Sequence, residues 1–368
     1  MKYYIIAGER SGDLHGGNLI KSLKQQDDSA EIRCWGGDEM QAAGGDLVVH
    51  YKEMAFMGFL EVVTNLGTIR KRIKFCKKDI KAFAPDALIL IDYAGFNMRM
   101  AKFANSIGIP VHYYISPKIW AWNQKRAYKI KRFVDHMYVI LPFEKEFYKK
   151  FDYQVDYVGN PLLDAIRQFK PEPDFKSQFP GKPIIAILPG SRKQEVQTML
   201  SKLSSLINDY PDYHFVVAGV SNLDQTLYKE VAQKSACSLV FDKAYDVLHI
   251  ATAALVTSGT ATLETALFEV PQVVCYETSN ISYQIGKRVI KVDYISLVNL
   301  IMGKEVVKEL IQTDFNTETL KRELDLILPS GTKRSTIEAD YKALKVLMGD
   351  DNTSDKTAQL IVERVRED

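Results

Sequence analysis

The feature that most constrains this chain is an alternation of short β-rich apolar runs with helical stretches, which occurs twice along its length. Runs at 3–7, 87–92 and 111–115 are each followed by a helical pattern, at 14–24, 98–106 and 123–133. Unbroken apolar runs are what strands covered on both faces look like, and the helices between them supply the crossovers of a parallel sheet. Runs at 137–141 and 155–158 add further strands to this first Rossmann-like unit. Residues 168–183 then carry Pro171, Pro173, Pro180, Gly181 and Pro183 among polar neighbours, a composition that suits a linker. The alternation restarts with strands at 184–188, 214–218, 238–241, 254–257 and 272–276. After Pro329 the chain reads as charged helices, at 335–348 and 356–365. The expectation is an α/β protein with two Rossmann-like domains, 1–167 and 184–328, joined by the linker 168–183. Helices within 329–368 are expected to pack across them.

Length agrees, because 368 residues exceed the usual reach of one hydrophobic core. Hydrophobic residues at 46% and charged residues at 26% exclude a disordered chain. Forty-eight basic against 46 acidic side chains leave +2, too little for bulk attraction to nucleic acid, so no nucleic-acid partner is expected. Cys34, Cys76, Cys237 and Cys275 are far apart and show no CxxC spacing, which suggests neither a zinc knuckle nor a disulfide framework and fits a reducing cytoplasm. The apolar run 3–7 is too short for a signal-peptide core, and no stretch approaches the ~20 apolar residues that cross a bilayer. Any membrane is therefore expected to be met from outside.

Four strand ends carry the chemistry. The first runs into Gly8, Glu9, Arg10, Ser11, Gly12, Asp13, Leu14, His15 and Gly16. This reads as a glycine-rich turn whose amides face an anionic ligand, or as a turn with Asp13 capping the next helix. Asp92 follows the run 87–91 and so stands at the carboxyl end of a strand, where α/β sheets collect ligands. It is a candidate general base, although spacing alone favours a capping aspartate. Arg192 follows the strand 184–188 and Gly190, where a guanidinium can clamp a diphosphate or simply sit at the surface. Ser258, Gly259 and Thr260 open a helix with Glu264 one turn on, a pattern that holds phosphate and takes ribose hydroxyls. An ordinary capped helix with a solvated Glu264 fits it too.

The segments AGERSGDLHGG, WGGDEM, FMGFLEVV, IDYAGFN, YYISPKIWAW, LPFE, YVGNPL, LPGSR, SGTATLE and DYISLVNLIMG follow one another between residues 7 and 303. In that order they resemble the motifs of the lipid-A-disaccharide synthase family. The resemblance implies a GT-B fold with an acceptor-binding N-terminal domain, a UDP-binding C-terminal domain and a cleft between them. It implies transfer, with inversion, of 2,3-diacylglucosamine from its UDP donor to a monosaccharide lipid acceptor, 2,3-diacylglucosamine 1-phosphate.

Carried over position by position, the resemblance makes Asp92 catalytic and Arg192, Ser258, Gly259, Thr260, Glu264 and Asn299 UDP-binding. Glu9, Ser11, Gly12, Asp13 and His15 become acceptor-binding. Three positions depart from the family pattern: Arg10, where a small residue is usual, Asp38 in place of proline, and Gly95 in place of a second aspartate. No cofactor and no metal is expected, since Arg192 and the 258–260 turn can receive the diphosphate charge. Phe56, Met57, Phe59 and Leu60, with basic residues at 70–81 and 118–132, suit an anionic membrane surface, or else a core segment beside a solvated face. A cytoplasmic protein on the inner face of the membrane is expected, as is a homodimer exchanging C-terminal segments. Competing functions are another UDP-N-acetylglucosamine enzyme of the same fold, transferase or 2-epimerase, and a non-catalytic UDP-sugar binder.

Overall fold

The computed structural model describes residues 1–53, 66–229 and 237–367. The chain divides into two compact units, one of residues 1–164 with 350–368 and the other of residues 165–349. Each is built on a parallel sheet with helical crossovers, a two-domain α/β architecture.

Among the described residues, the first sheet is formed by β1 (Lys2–Ala7), β2 (Glu31–Gly36), β3 (Asp46–His50), β4 (Ala87–Ile91), β5 (Val111–Tyr114), β6 (His136–Val139) and β7 (Asp156–Tyr157). Their order is β3-β2-β1-β4-β5-β6-β7. The second sheet contains β8 (Ile184–Leu188), β9 (His214–Gly219), β10 (Cys237–Phe241), β11 (Ala251–Thr257), β12 (Gln272–Tyr276) and β13 (Lys308–Ile311), ordered β10-β9-β8-β11-β12-β13. Both orders start in the middle, run outward one way, then return and run outward the other way. Helices leaving β1 and β4, or β8 and β11, therefore depart to opposite faces and leave a crevice at the carboxyl ends of each pair. That topological switch point is where such sheets bind ligands, and each unit has one.

The strands form because their apolar side chains are buried on both faces. Ile5 and Ile89 in the first sheet and Ile187 and Leu255 in the second have no exposed surface. Three strands were not expected from sequence: β2, β3 and β13. In β2, Arg33 alternates with buried Ile32 and Cys34 and is neutralised by Asp79, at 2.9 and 3.0 Å, and by Asp46. Its alternation of charged and apolar residues hides a strand that is interior to the sheet.

The helix after β1 spans Arg10–Gln26, a full turn earlier than expected. Its glycines act in packing rather than in an open loop. A Cβ on Gly16 would lie 2.6 Å from Met40 Sδ, and one on Gly17 would lie 2.9 Å from the Glu39 carbonyl oxygen, so both allow the helix Asp38–Ala42 to approach. The helix Thr353–Glu367 lies against Arg10–Gln26 and places Ala358, Ile361 and Val362 in the core of the first unit. Burying each of the two larger side chains contributes about 1.5–3 kcal/mol. Helix Arg334–Met348 belongs to the second unit, and residues 168–183 contribute Phe175 and Phe179 to that unit's core.

Candidate active site

In the first unit the loops after β1 and β4 flank the switch point. Asp92 and Tyr93 both have left-handed backbone, with φ of 44° and 47°. For residues bearing a Cβ this costs about 1–2 kcal/mol each, and it persists only where surrounding bonds enforce it. Here the enforcement is visible. The buried amide of Asn97 donates to the Asp92 carbonyl at 2.9 Å, to Ile91 O at 3.1 Å and to Ile6 O at 3.4 Å. The Tyr113 hydroxyl donates to the same Asp92 carbonyl, and the Asp92 N–H donates to Tyr114 O at 3.1 Å. Strand β5, the helix Ala94–Asn105 and β1 thus pin one backbone unit and fix where its carboxylate emerges.

Burial, then the negative charge of Glu9, pushes the Asp92 carboxyl above its ordinary value, and Lys118 opposes them. A carboxylate raised in this way is a better proton acceptor than a solvated one. Gly8 is required beside it, because a Cβ there would lie 2.2 Å from the Tyr93 ring.

The remaining first-unit candidates divide. Glu9 and Ser11 are exposed and His15 is half-buried. Burial lowers the His15 imidazole to about 4, which keeps it neutral at pH 7. Gly12 is buried, and a Cβ there would meet Ala7 at 3.2 Å. Asp13 does cap a helix, but a different one from that read in sequence. Its buried carboxylate accepts from the N–H groups of Gly37 at 2.6 Å, Glu39 at 3.1 Å and Met40 at 3.1 Å, closing the start of Asp38–Ala42.

In the second unit the loops after β8 and β11 flank the other switch point. Gly190, at φ 105°, turns the chain out of β8. Arg192 precedes the helix Lys193–Ser204, and the Glu195 carboxylate accepts from its backbone N–H at 3.3 Å and from its guanidinium at 3.2 Å. The arginine side chain is 83% exposed, so most of its donors remain open. Gly259 and Thr260 are exposed at the start of the helix Thr260–Leu267, while Ser258 Oγ donates to Ile295 O at 3.2 Å. Glu264 accepts from the Tyr245 hydroxyl at 2.9 Å, and burial raises its carboxyl above the usual range.

Asn299 stands apart from these open groups. It has no exposed surface, and its side chain is fully engaged. The amide donates to Val307 O and Glu309 Oε1, both at 2.9 Å, and its oxygen accepts from Val306 N at 2.8 Å and Val307 N at 3.0 Å. Glu309 in turn accepts from the backbone of Ile295 at 3.0 Å and Ser296 at 2.9 Å. Asn299 therefore braces the chain segment on which Ser258 rests.

Asn97 and Tyr113 were not singled out from sequence, although Asn97 lies inside the IDYAGFN motif and offered a signal. Phe56, Met57, Phe59 and Leu60, read as membrane contacts, lie outside the described residues. No helix of the described residues is long and apolar enough to cross a membrane.

The family model for lipid-A-disaccharide synthetase matches residues 3–365. Lipid-A-disaccharide synthases of Geobacter metallireducens and Geobacter sulfurreducens are 37% and 35% identical, each over 98% of this chain and 96% of the relative. That of Coxiella burnetii is 35% identical over 97% of this chain and 96% of the relative. Among solved structures, the UDP-GlcNAc 2-epimerase from Neisseria meningitidis bound to UDP-GlcNAc aligns with a TM-score of 0.68 over the whole of both chains at 14% identity. The glycotransferase of kitacinnamycin gives 0.67 over 99% of this chain and 98% of that one at 12% identity. These likenesses show the GT-B fold, shared by transferases and epimerases. Over nearly its whole length, the chain belongs to the lipid-A-disaccharide synthetase family.

Proposed function

We propose that the protein transfers 2,3-diacylglucosamine from UDP-2,3-diacylglucosamine to 2,3-diacylglucosamine 1-phosphate, releasing UDP and a β-1,6-linked disaccharide 1-phosphate. The observation that supports this reading most directly is the pairing of functions with switch points. A desolvated carboxylate stands at one, and an open cation with helix-opening amides stands at the other. Asp92 takes the proton of the acceptor hydroxyl as its oxygen bonds to the donor's anomeric carbon. The bond from that carbon to the diphosphate breaks on the opposite side, which inverts the configuration. Arg192 and the amides of 258–260 receive the charge left on the diphosphate, and Glu264 takes the ribose hydroxyls. Asn299 acts in this reading through the segment it braces. Glu9, Ser11 and His15 face the acceptor, and Gly12 and Asp13 shape the wall behind them.

The test is UDP release by the purified protein with donor and acceptor together, the product being identified by mass spectrometry. Release that needs both substrates supports transfer. Turnover of UDP-sugar without acceptor identifies an epimerase, and tight UDP binding without turnover identifies a binding protein.

In the same reading the protein works from the cytoplasm on the inner face of the membrane, touching it through Phe56, Met57, Phe59 and Leu60 with their basic neighbours. Flotation with anionic vesicles, weakened as salt shortens the Debye length from ~10 Å at 0.1 M to ~3 Å at 1 M, tests that contact. A homodimer exchanging the helix Thr353–Glu367 belongs to the same proposal and is tested by light scattering.

A further inference from the structure

A cavity of about 260 Å³ opens beside the Asp92 loop, entirely within the first unit. Its walls are the first turns of the helix Ala94–Asn105, the loop after β5 and the helix Arg126–Phe133, all at the carboxyl edge of the sheet. Arg99, Arg126 and Lys129 line it together with apolar Met98, Ile119 and Ile130, and among the described residues no carboxylate does. Three cations lining one cavity repel one another and are stabilised by an anion bound among them. Among the described residues neither Arg99 nor Lys129 is in an ion pair. The Arg126 guanidinium lies 4.6 Å over the Trp122 ring, which orients it without neutralising it.

The cavity is smaller than the ~300–1,000 Å³ that encloses a whole small-molecule ligand, so it suits one end of a larger one. Mixed cationic and apolar walls suit a phosphate carried on an amphiphile. Gly95 also lines the cavity and lies in the same turn as Asp92, so a ligand end seated here leaves the rest of a sugar ring beside that carboxylate.

We infer that this cavity seats the phosphate monoester of the acceptor, with Arg99, Arg126 and Lys129 as its cations. The site sets which acceptors are used by requiring an anionic group on the ring that attacks. The inference rests on the transfer reaction proposed above.

The test uses glucosamine 1-phosphate and glucosamine as soluble probes in an NMR titration, comparing the unaltered protein with Arg99→Gln, Arg126→Gln and Lys129→Gln. All three side chains are on exposed residues, so the variants are expected to fold. The unaltered protein is expected to favour the phosphorylated probe, and each variant to lose about tenfold of that preference, the usual effect of one charged hydrogen bond. UDP affinity is expected to be unchanged. In turnover, KM for the phosphorylated acceptor rises in parallel, while the rate with a dephosphorylated acceptor does not move. A preference that is absent, or equal in all four proteins, overturns the inference. So does loss of flotation with phosphatidylglycerol vesicles while the probe preference stays intact, since the cations then serve a phospholipid headgroup. If the phosphate preference tracks the three cations but no disaccharide forms, the transferase reading fails and the anion site stands. If disaccharide forms with the preference unaltered in every variant, the site alone fails.

Discussion

The two switch points share one topology and are furnished in opposite ways. In the first unit the key residue is held from within. Asn97, Tyr113 and the Tyr114 carbonyl fix the Asp92 backbone in a left-handed conformation, and burial raises its carboxyl. In the second unit Arg192 is largely exposed, its side chain is tied among the described residues to Glu195 alone, and Gly259 and Thr260 are open. In the proposed reaction the contrast follows from what each half would have to do. A base is effective only if its position and basicity are set before substrate arrives, and only interior bonds can set them. A diphosphate site needs donors that are still unspent, because a donor already satisfied inside the protein has nothing left to give the ligand.

The largest effect expected is from Asp92→Asn. Asparagine tolerates left-handed backbone and keeps the shape of the side chain, so the fold is undisturbed and only proton acceptance is lost. Transfer is expected to fall about 10²–10⁴-fold while UDP affinity, measured by calorimetry, stays unchanged. Near-normal turnover would remove the contrast at its root. In the unaltered protein, the acid limb of kcat/KM is expected above the usual aspartate range, following the raised Asp92 carboxyl.

The interior frame of the first unit makes a second prediction through Glu144. This buried carboxyl accepts from Trp120 Nε1 at 3.1 Å and Leu141 N at 3.0 Å, and burial raises it from 4.5 to about 7. Between those values the folded chain binds more protons than the unfolded one. This contribution to stability is therefore full at low pH, declines as pH rises toward about 7 and is flat beyond, a span of about 3 kcal/mol. Urea unfolding from pH 4.5 to 8 is expected to show that decline reduced in Glu144→Gln. Parallel curves would mean the residue is solvated.

Asn97→Ala removes the clamp and takes a donor from the Ile6, Ile91 and Asp92 carbonyls, of which the last keeps the Tyr113 hydroxyl. It is expected to cost about 1–3 kcal/mol of stability and about tenfold in kcat, with the Kd for UDP unmoved. A loss of stability with unchanged kcat would show that the Asp92 conformation does not depend on it. Arg192→Ala is the converse and the smallest in overall effect. UDP is expected to bind about tenfold more weakly, while stability changes by less than ~0.5 kcal/mol, because an exposed ion pair with Glu195 contributes little. If Arg192→Ala unfolded the protein or left UDP binding intact, the second switch point would be built like the first.

The sequence by itself determined the class of fold and the address of the candidate site. Strands buried on both faces must be apolar throughout, so β1, β4, β8 and β11 were legible as runs, and the residues that follow them were placed at carboxyl edges. It did not reveal β2, where charged residues alternate with apolar ones and Arg33 is neutralised by Asp79, distant in the chain, nor β3 and β13, which are short and open on a charged residue. Nor did it separate open groups from spent ones. Asp13, Asn299 and Arg192 look alike in sequence, as polar residues inside motif segments. Tertiary structure gives the first to Gly37, Glu39 and Met40, closes the second around Val306 and Val307, and leaves the third exposed. The strand order that creates a switch point, and the bonds that force Asp92 into left-handed backbone, were likewise decided only in three dimensions. The physical reason is common to all of these: the apolar pattern is local to each element, whereas the satisfaction of a hydrogen bond depends on which distant group the fold brings within about 3 Å.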